Sequence, residues 1–205
     1  VSASSDGRPG SYAKGRAKRQ EIIETAMLVF GEAGYNKSSM LDIAERCSLS
    51  RAGLSHHFPS KESILEAVLA WRDQVDRERF RANGSAGRDG LGVLRGMVDL
   101  ARHNATVPGL VGLYSVLAAE AASPEHPAHE YFVKRYRRIV DGTRHALEGA
   151  REAGCLREGV DPEELAISLV ALMDGLQIQW LLRSRPVDMA RQLRNAIQNA
   201  LVVEL

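Results

Sequence analysis

Residues 38–61 read SSMLDIAERCSLSRAGLSHHFPSK, and the spacing in this stretch decides the fold. Ser38 or Ser39 can cap a short helix, and with Ser39 as cap Asp42 falls at the third helical position, a capping box with a carboxylate near the positive helix end. Ile43 and Cys47 share one face, and Ala44 is small enough to let a second helix pass behind it. The turn falls at Ser48-Leu49, and Ser50 is placed to cap a second helix in which Leu54 and Phe58 face inward. Arg51, Ala52, Ser55, His56 and His57 lie on its other side, all polar or small. Pro59-Ser60 stops it and opens a longer helix at Lys61. A helix so short buries too little apolar surface to stand alone, but its narrow basic edge suits a major groove. An ordinary helical hairpin inside a bundle would have the same spacing.

Residues 17–65 resemble the DNA-binding domain of the tetracycline-repressor (TetR) family. The matching pieces are Ile22-Ile23, Ala26, Phe30, Gly34-Tyr35, Ser38-Ser39-Met40, Asp42-Ile43-Ala44, Leu49-Ser50-Arg51, Leu54 and His57-Phe58-Pro59-Ser60-Lys61-Glu62. The resemblance implies that Ser50, Arg51, Ala52, Gly53 and His56 approach base edges, while Ser39, Ser55, His57 and Lys61 hold phosphates. Arg51 suits a bidentate guanine contact, worth about 1–3 kcal/mol of discrimination, and equally suits a phosphate. Three positions depart from the family pattern, which has Gly at Ser48, a small residue such as Gly at Ala52 and Tyr at Ser55. Ser48 would have to adopt a left-handed conformation at a cost of about 1 kcal/mol, and Ser55 lacks the aromatic ring that relatives lay on the DNA backbone. Gly53 costs its helix about 1 kcal/mol but lets the backbone approach the groove floor.

The 205 residues are 44% hydrophobic, enough for a real core, and the formal charge of +1 argues against an indiscriminate polycation. The charge is uneven. Arg8, Lys14, Arg16, Lys18 and Arg19 cluster ahead of the first helix, as either a phosphate-binding arm or a solvated leader. Cys47 and Cys155 suggest neither a disulfide framework nor a metal knuckle, and no cofactor is expected. No run of 18 or more apolar residues and no signal peptide are recognised, so a soluble cytoplasmic protein without a membrane partner is expected.

The expectation is an all-α protein of about nine helices. Residues 1–13 form a disordered arm, 14–60 a three-helix DNA-binding domain, and 61–205 a ligand-binding and dimerisation domain. The first helix is expected over Ala17–Ala33. A helix from Lys61 to about Arg81, about 30 Å long, would be the lever between domains. A loop comes next at Asn83–Gly90, then helices at about Gly92–Thr106, Pro108–Ala121, Glu130–Ala153, Pro162–Arg183 and Val187–Val203.

The Leu165–Leu182 segment is apolar nearly all round, which asks for partners on every side. Met189, Leu193, Ala196, Ile197, Ala200 and Leu201 continue at matching spacing, so the last two helices are expected to form a homodimer interface, although both could be core helices of a monomer. Leu172-Met173-Asp174-Gly175-Leu176-Gln177 also resembles, more weakly, the C-terminal domain of the betaine-regulon repressor branch. The resemblance implies a pocket for an unidentified small-molecule effector between Leu91 and Trp180. Its candidate residues, polar or aromatic groups on apolar faces, are Trp71, His103, Tyr114, Glu120, Tyr136, Asp174 and Gln177. Glu120 and Asp174 stand out, because an unpaired buried carboxylate welcomes a cation or a hydrogen-bond donor.

No nucleophile elbow, phosphate loop, HExxH or metal-ligand spacing is present, so an enzyme is not expected. The sequence points to a homodimeric repressor that binds a palindromic double-stranded DNA operator and is released by a small molecule. The alternative is an architectural or activating DNA-binding protein with no ligand response.

Overall fold

The computed structural model describes residues 9–82, 90–182 and 186–205. Among them lie nine α-helices and no strand: α1 Pro9–Ala33, α2 Met40–Arg46, α3 Arg51–His57, α4 Lys61–Ala82, α5 Leu91–Asn104, α6 Pro108–Glu120, α7 His129–Glu152, α8 Pro162–Leu182 and α9 Met189–Gln198. Residues 1–8 of the expected arm, including Arg8, lie outside the described residues, as does the expected loop apart from Gly90.

The helix-turn-helix is built as its spacing required. Ser39 Oγ accepts from Asp42 N, and Asp42 Oδ2 accepts from Ser39 N at 2.8 Å, closing the capping box. Ser50 Oγ accepts from Gly53 N at 3.0 Å and starts α3. Ser48 sits at φ 54°, the left-handed conformation expected at this turn. Ile43, Ala44, Leu54 and Phe58 are buried against Ile22, Ala26 and Phe30 of α1 and Ile64, Leu65 and Val68 of α4.

Helix α1 begins at Pro9, eight residues earlier than Ala17. Proline is well suited to a first helical turn, where its missing N–H costs nothing, and Gly10 and Gly15 do not interrupt the helix. Two cations of the basic cluster are engaged within the fold. Lys18 Nζ donates to Cys47 O at 2.8 Å, and Arg19 Nη1 donates to His57 O at 2.9 Å while stacking 3.9 Å from the Phe58 ring centroid. Both satisfy carbonyls at the negative ends of α2 and α3.

Two apolar clusters fill the molecule, and they do not divide at residue 60. The first joins the head to Leu110, Leu113 and Leu117 of α6 and Phe132 of α7. The second joins α5, the later part of α7, α8, α9 and the C-terminal tail. Helix α9 ends at Gln198 instead of Val203. Beyond it the tail turns back: Arg157 N donates to Ala200 O, Val202 N to Cys155 O, and Gln198 Nε2 to Val203 O. Met189, Leu193, Ile197 and Leu201, expected at a subunit interface, are buried inside this second core. Among the described residues α8 keeps an apolar outer stripe, with Ile167, Ile178 and Leu182 at 52%, 50% and 71% exposure. By length and composition alone α8 is also apolar enough to cross a membrane.

Candidate functional site

Two sites face away from the cores, a polar edge on the head and a cavity in the body. On the head, Ser39, Ser50, Arg51, Ala52, Ser55 and His56 are exposed, and Gly53 and His57 are half-exposed. These residues lie together on α3 and its flanks because Leu54 and Phe58 pin the opposite side inward. His56 and His57 meet edge to face, with centroids 5.6 Å apart. Lys61 differs from the rest. Its Nζ donates to Tyr35 O and Ser38 O at 2.8 and 2.9 Å and lies 4.2 Å from the Tyr35 ring centroid, so its ammonium is committed to the α1–α2 connection.

The body cavity has a volume of about 550 Å³ and is bounded by α4, α5, α6, α7 and α8. Tyr114, Tyr136, Asp174 and Gln177 line it as expected. Trp71, His103 and Glu120 are not on its wall. Trp71 packs on the head core, and His103 Nδ1 lies 3.2 Å from Thr106 Oγ1 at the end of α5. Apolar walls come from Val93, Met97, Leu100, Ile139, Val170 and Met173. A pocket of this size, with apolar walls and polar groups gathered beside them, suits a drug-sized organic molecule.

A polar network that sequence reading missed runs along one side of the cavity. Asp73 Oδ1 accepts from Tyr131 Oη at 2.8 Å and from Arg135 Nη1 at 3.0 Å, and Arg138 Nη2 lies 3.3 Å from Asp73 Oδ2. Tyr131 and Tyr114 share a hydroxyl hydrogen bond of 2.8 Å. Tyr136 Oη donates to Asp174 Oδ2 at 2.9 Å. Burial holds the Asp174 carboxyl above the usual carboxylate range, against the opposing pull of Tyr136 and Arg135. Burial likewise pushes the Tyr114 and Tyr131 phenols upward. Among the described residues no cluster of His, Cys, Asp and Glu could hold a metal ion.

Glu120 has a different position from the one expected. At the end of α6 it accepts from Tyr35 N at 2.8 Å and Asn36 N at 3.4 Å, tying the body to the head. A Cβ on Gly34, which sits at φ 81°, would come 2.6 Å from Glu120 Oε1, so glycine makes the approach possible. His126 closes the joint: it is buried, its ring lies 5.1 Å from Tyr35, and its Nε2 is 3.7 Å from Glu120 Oε2. His126 Nδ1 accepts from Ala128 N, and burial holds its pKa below the usual histidine value while Glu120 pulls the other way. A histidine kept neutral in the fold takes up a proton more readily once unfolded, so stability falls as pH drops through the unfolded value of about 6.5. Thermal melts should therefore show a loss between pH 7.5 and pH 5 that is smaller in His126→Asn; an identical slope in both proteins would contradict the assignment.

Comparison with known proteins agrees with this geometry. Residues 22–68 match the bacterial regulatory proteins of the tetR family, and residues 114–202 match the BetI-type transcriptional repressor C-terminal domain. The chain is 24% identical to the probable acrEF/envCD operon repressor of Escherichia coli K12, over 89% of this chain and 84% of that protein. It is 25% identical to the HTH-type transcriptional regulator TtgR of Pseudomonas putida, over 89% of each. A putative transcriptional regulator from Saccharomonospora viridis, solved in complex with choline, superposes with a TM-score of 0.77 at 26% identity, over 92% of this chain and 100% of that one. With the capped helix-turn-helix, the all-helical body and both halves matched in order, this chain belongs to the TetR family of transcriptional regulators.

Proposed function

We propose that this regulator is a homodimeric repressor that binds a palindromic operator and is released when a small molecule enters the body cavity. The observation that carries the ligand response is the position of α6. One side of it lines the cavity through Leu110, Val111, Tyr114, Ser115 and Ala118. Its other side packs on α1, where a Cβ on Gly31 would lie 3.2 Å from Gly109 O and from Leu113 N. Backbones this close transmit displacement directly, and Glu120 fixes the end of α6 to the α1–α2 connection. A guest that moves α6 therefore moves the head, and linkage makes ligand and DNA oppose each other.

Reading of DNA is assigned to Ser50, Arg51, Ala52, Gly53 and His56, with Ser39, Ser55 and His57 on phosphates. Lys61 supports them by holding the Tyr35 and Ser38 carbonyls. One α3 reads only a few base pairs, and two heads about one DNA turn apart read a palindrome. The outer stripe of α8, with Ile167, Ile178 and Leu182 around Ala171 and Gly175, is the face for the second subunit. Exposed apolar residues at this spacing, with small residues between, suit a two-fold helical contact. In Ile167→Glu combined with Ala171→Glu, sedimentation should give a monomer mass with unchanged helical content and lost operator binding. A protection map of DNA beside its own gene, repeated with candidate ligands, tests the whole proposal. Two protected half-sites that fade with ligand are expected; no discrete footprint would refute it.

A further inference from the structure

The charges around the cavity say which guests it accepts, and this inference rests on the ligand-responsive reading above. Tyr114 already carries two guanidinium groups: Arg135 Cζ lies 4.6 Å and Arg72 Cζ 5.4 Å from its ring centroid. Of the three aromatic rings that line the cavity, Tyr114, Phe132 and Tyr136, the first is thus already occupied by the protein's own cations. Arg72 is buried at 4% exposure, with Nη2 3.5 Å from Asn104 Oδ1. Arg77 and Arg138, both exposed, continue the positive lining outward.

Among the described residues that line the cavity, these four arginines stand with two carboxylates, Asp73 and Asp174. Asp73 is bound by Tyr131, Arg135 and Arg138, and Asp174 is capped by Tyr136 and drawn toward its neutral form by burial. A cation entering here meets fixed guanidinium groups in a low-dielectric wall, whereas an anion meets charge-assisted donors. Exposed arginines ahead of buried ones would also concentrate anions at the entrance.

We propose that the effector is an amphipathic anion, a carboxylic acid or comparable monoanion with an apolar chain or ring system. Its head group sits against Arg72 and Arg135, and its apolar part lies along Val93, Met97 and Leu100. The Saccharomonospora relative was solved in complex with choline, a cation, and this chain is expected to prefer a guest of the opposite charge.

The test uses the full chain and a neutral fluorescent reporter, N-phenyl-1-naphthylamine, displaced by decanoate, decanol or decyltrimethylammonium at pH 7.5 and fixed salt. Decanoate should displace it at a concentration about tenfold or more below either of the others, as a charge-assisted hydrogen bond predicts. Within Arg72→Met, decanoate and decanol should displace the reporter at concentrations within about threefold of each other, most of the preference being lost; should that variant not fold, the head-group comparison in the unaltered protein decides alone. Equal displacement by all three, or tighter binding of decyltrimethylammonium, would overturn the assignment of charge and leave a ligand cavity standing. No reporter binding, or none displaced by any of the three, would overturn both the charge assignment and the ligand cavity itself.

Discussion

Arg51→Ala should lower affinity for the operator while leaving affinity for random DNA of equal length nearly unchanged. Arg51 is exposed at the first turn of α3, beside the Ser50 cap, and no ion pair among the described residues requires it. Its removal should therefore leave stability intact, so a change in binding can be read as lost recognition. A bidentate guanine contact is worth about 1–3 kcal/mol, and a symmetric dimer loses it in both half-sites, about 2–6 kcal/mol in all. Competition of labelled operator against random duplex at one salt concentration measures this. A loss equal on both DNAs would place Arg51 on a phosphate.

Gly90→Ala should be the most damaging single-methyl change in the described structure. Gly90 lies at φ 71° ahead of α5, and a Cβ there would fall 1.8 Å from Ala146 O, a backbone atom of α7 that cannot step aside. Left-handed strain and overpacking together predict a loss of about 3–5 kcal/mol, or a melting temperature lower by about 6–20 °C. Gly159→Ala is the matched control, since Gly159 sits at φ 80° with nothing within 4 Å of the added carbon. It should lose only the conformational part, about 1–2 kcal/mol. Similar losses in the two variants would show that the α5–α7 contact yields.

The head was legible because its signals are local. Capping by Ser39 and Ser50, the inward pair Leu54 and Phe58, and the left-handed Ser48 each depend on residues a few positions apart. The start of α1 was not, since Gly10, Ser11 and Gly15 look like breakers, although the helix runs on from Pro9. Glu120 was singled out as a costly carboxylate, but its partners, the Tyr35 and Asn36 amides, lie more than eighty positions away in sequence. No periodicity marks such a pairing. The same distance hid the Asp73 network: Arg135 and Arg138 look like a solvated face of α7 until α4 brings Asp73 to them. For α9 the spacing was legible and the packing partner was not: Met189, Leu193 and Ile197 are buried within their own subunit, and an apolar stripe packs equally well there as against another chain.

The most direct measurement is the ratio of affinities for the duplex beside its own gene and for scrambled DNA, by fluorescence anisotropy at about 0.15 M salt. The account predicts a ratio of about 10³ or more, two protomers per site, and a fall of about tenfold or more when the cavity is filled. A ratio near one, with steep salt dependence and no response to a bound ligand, would contradict it.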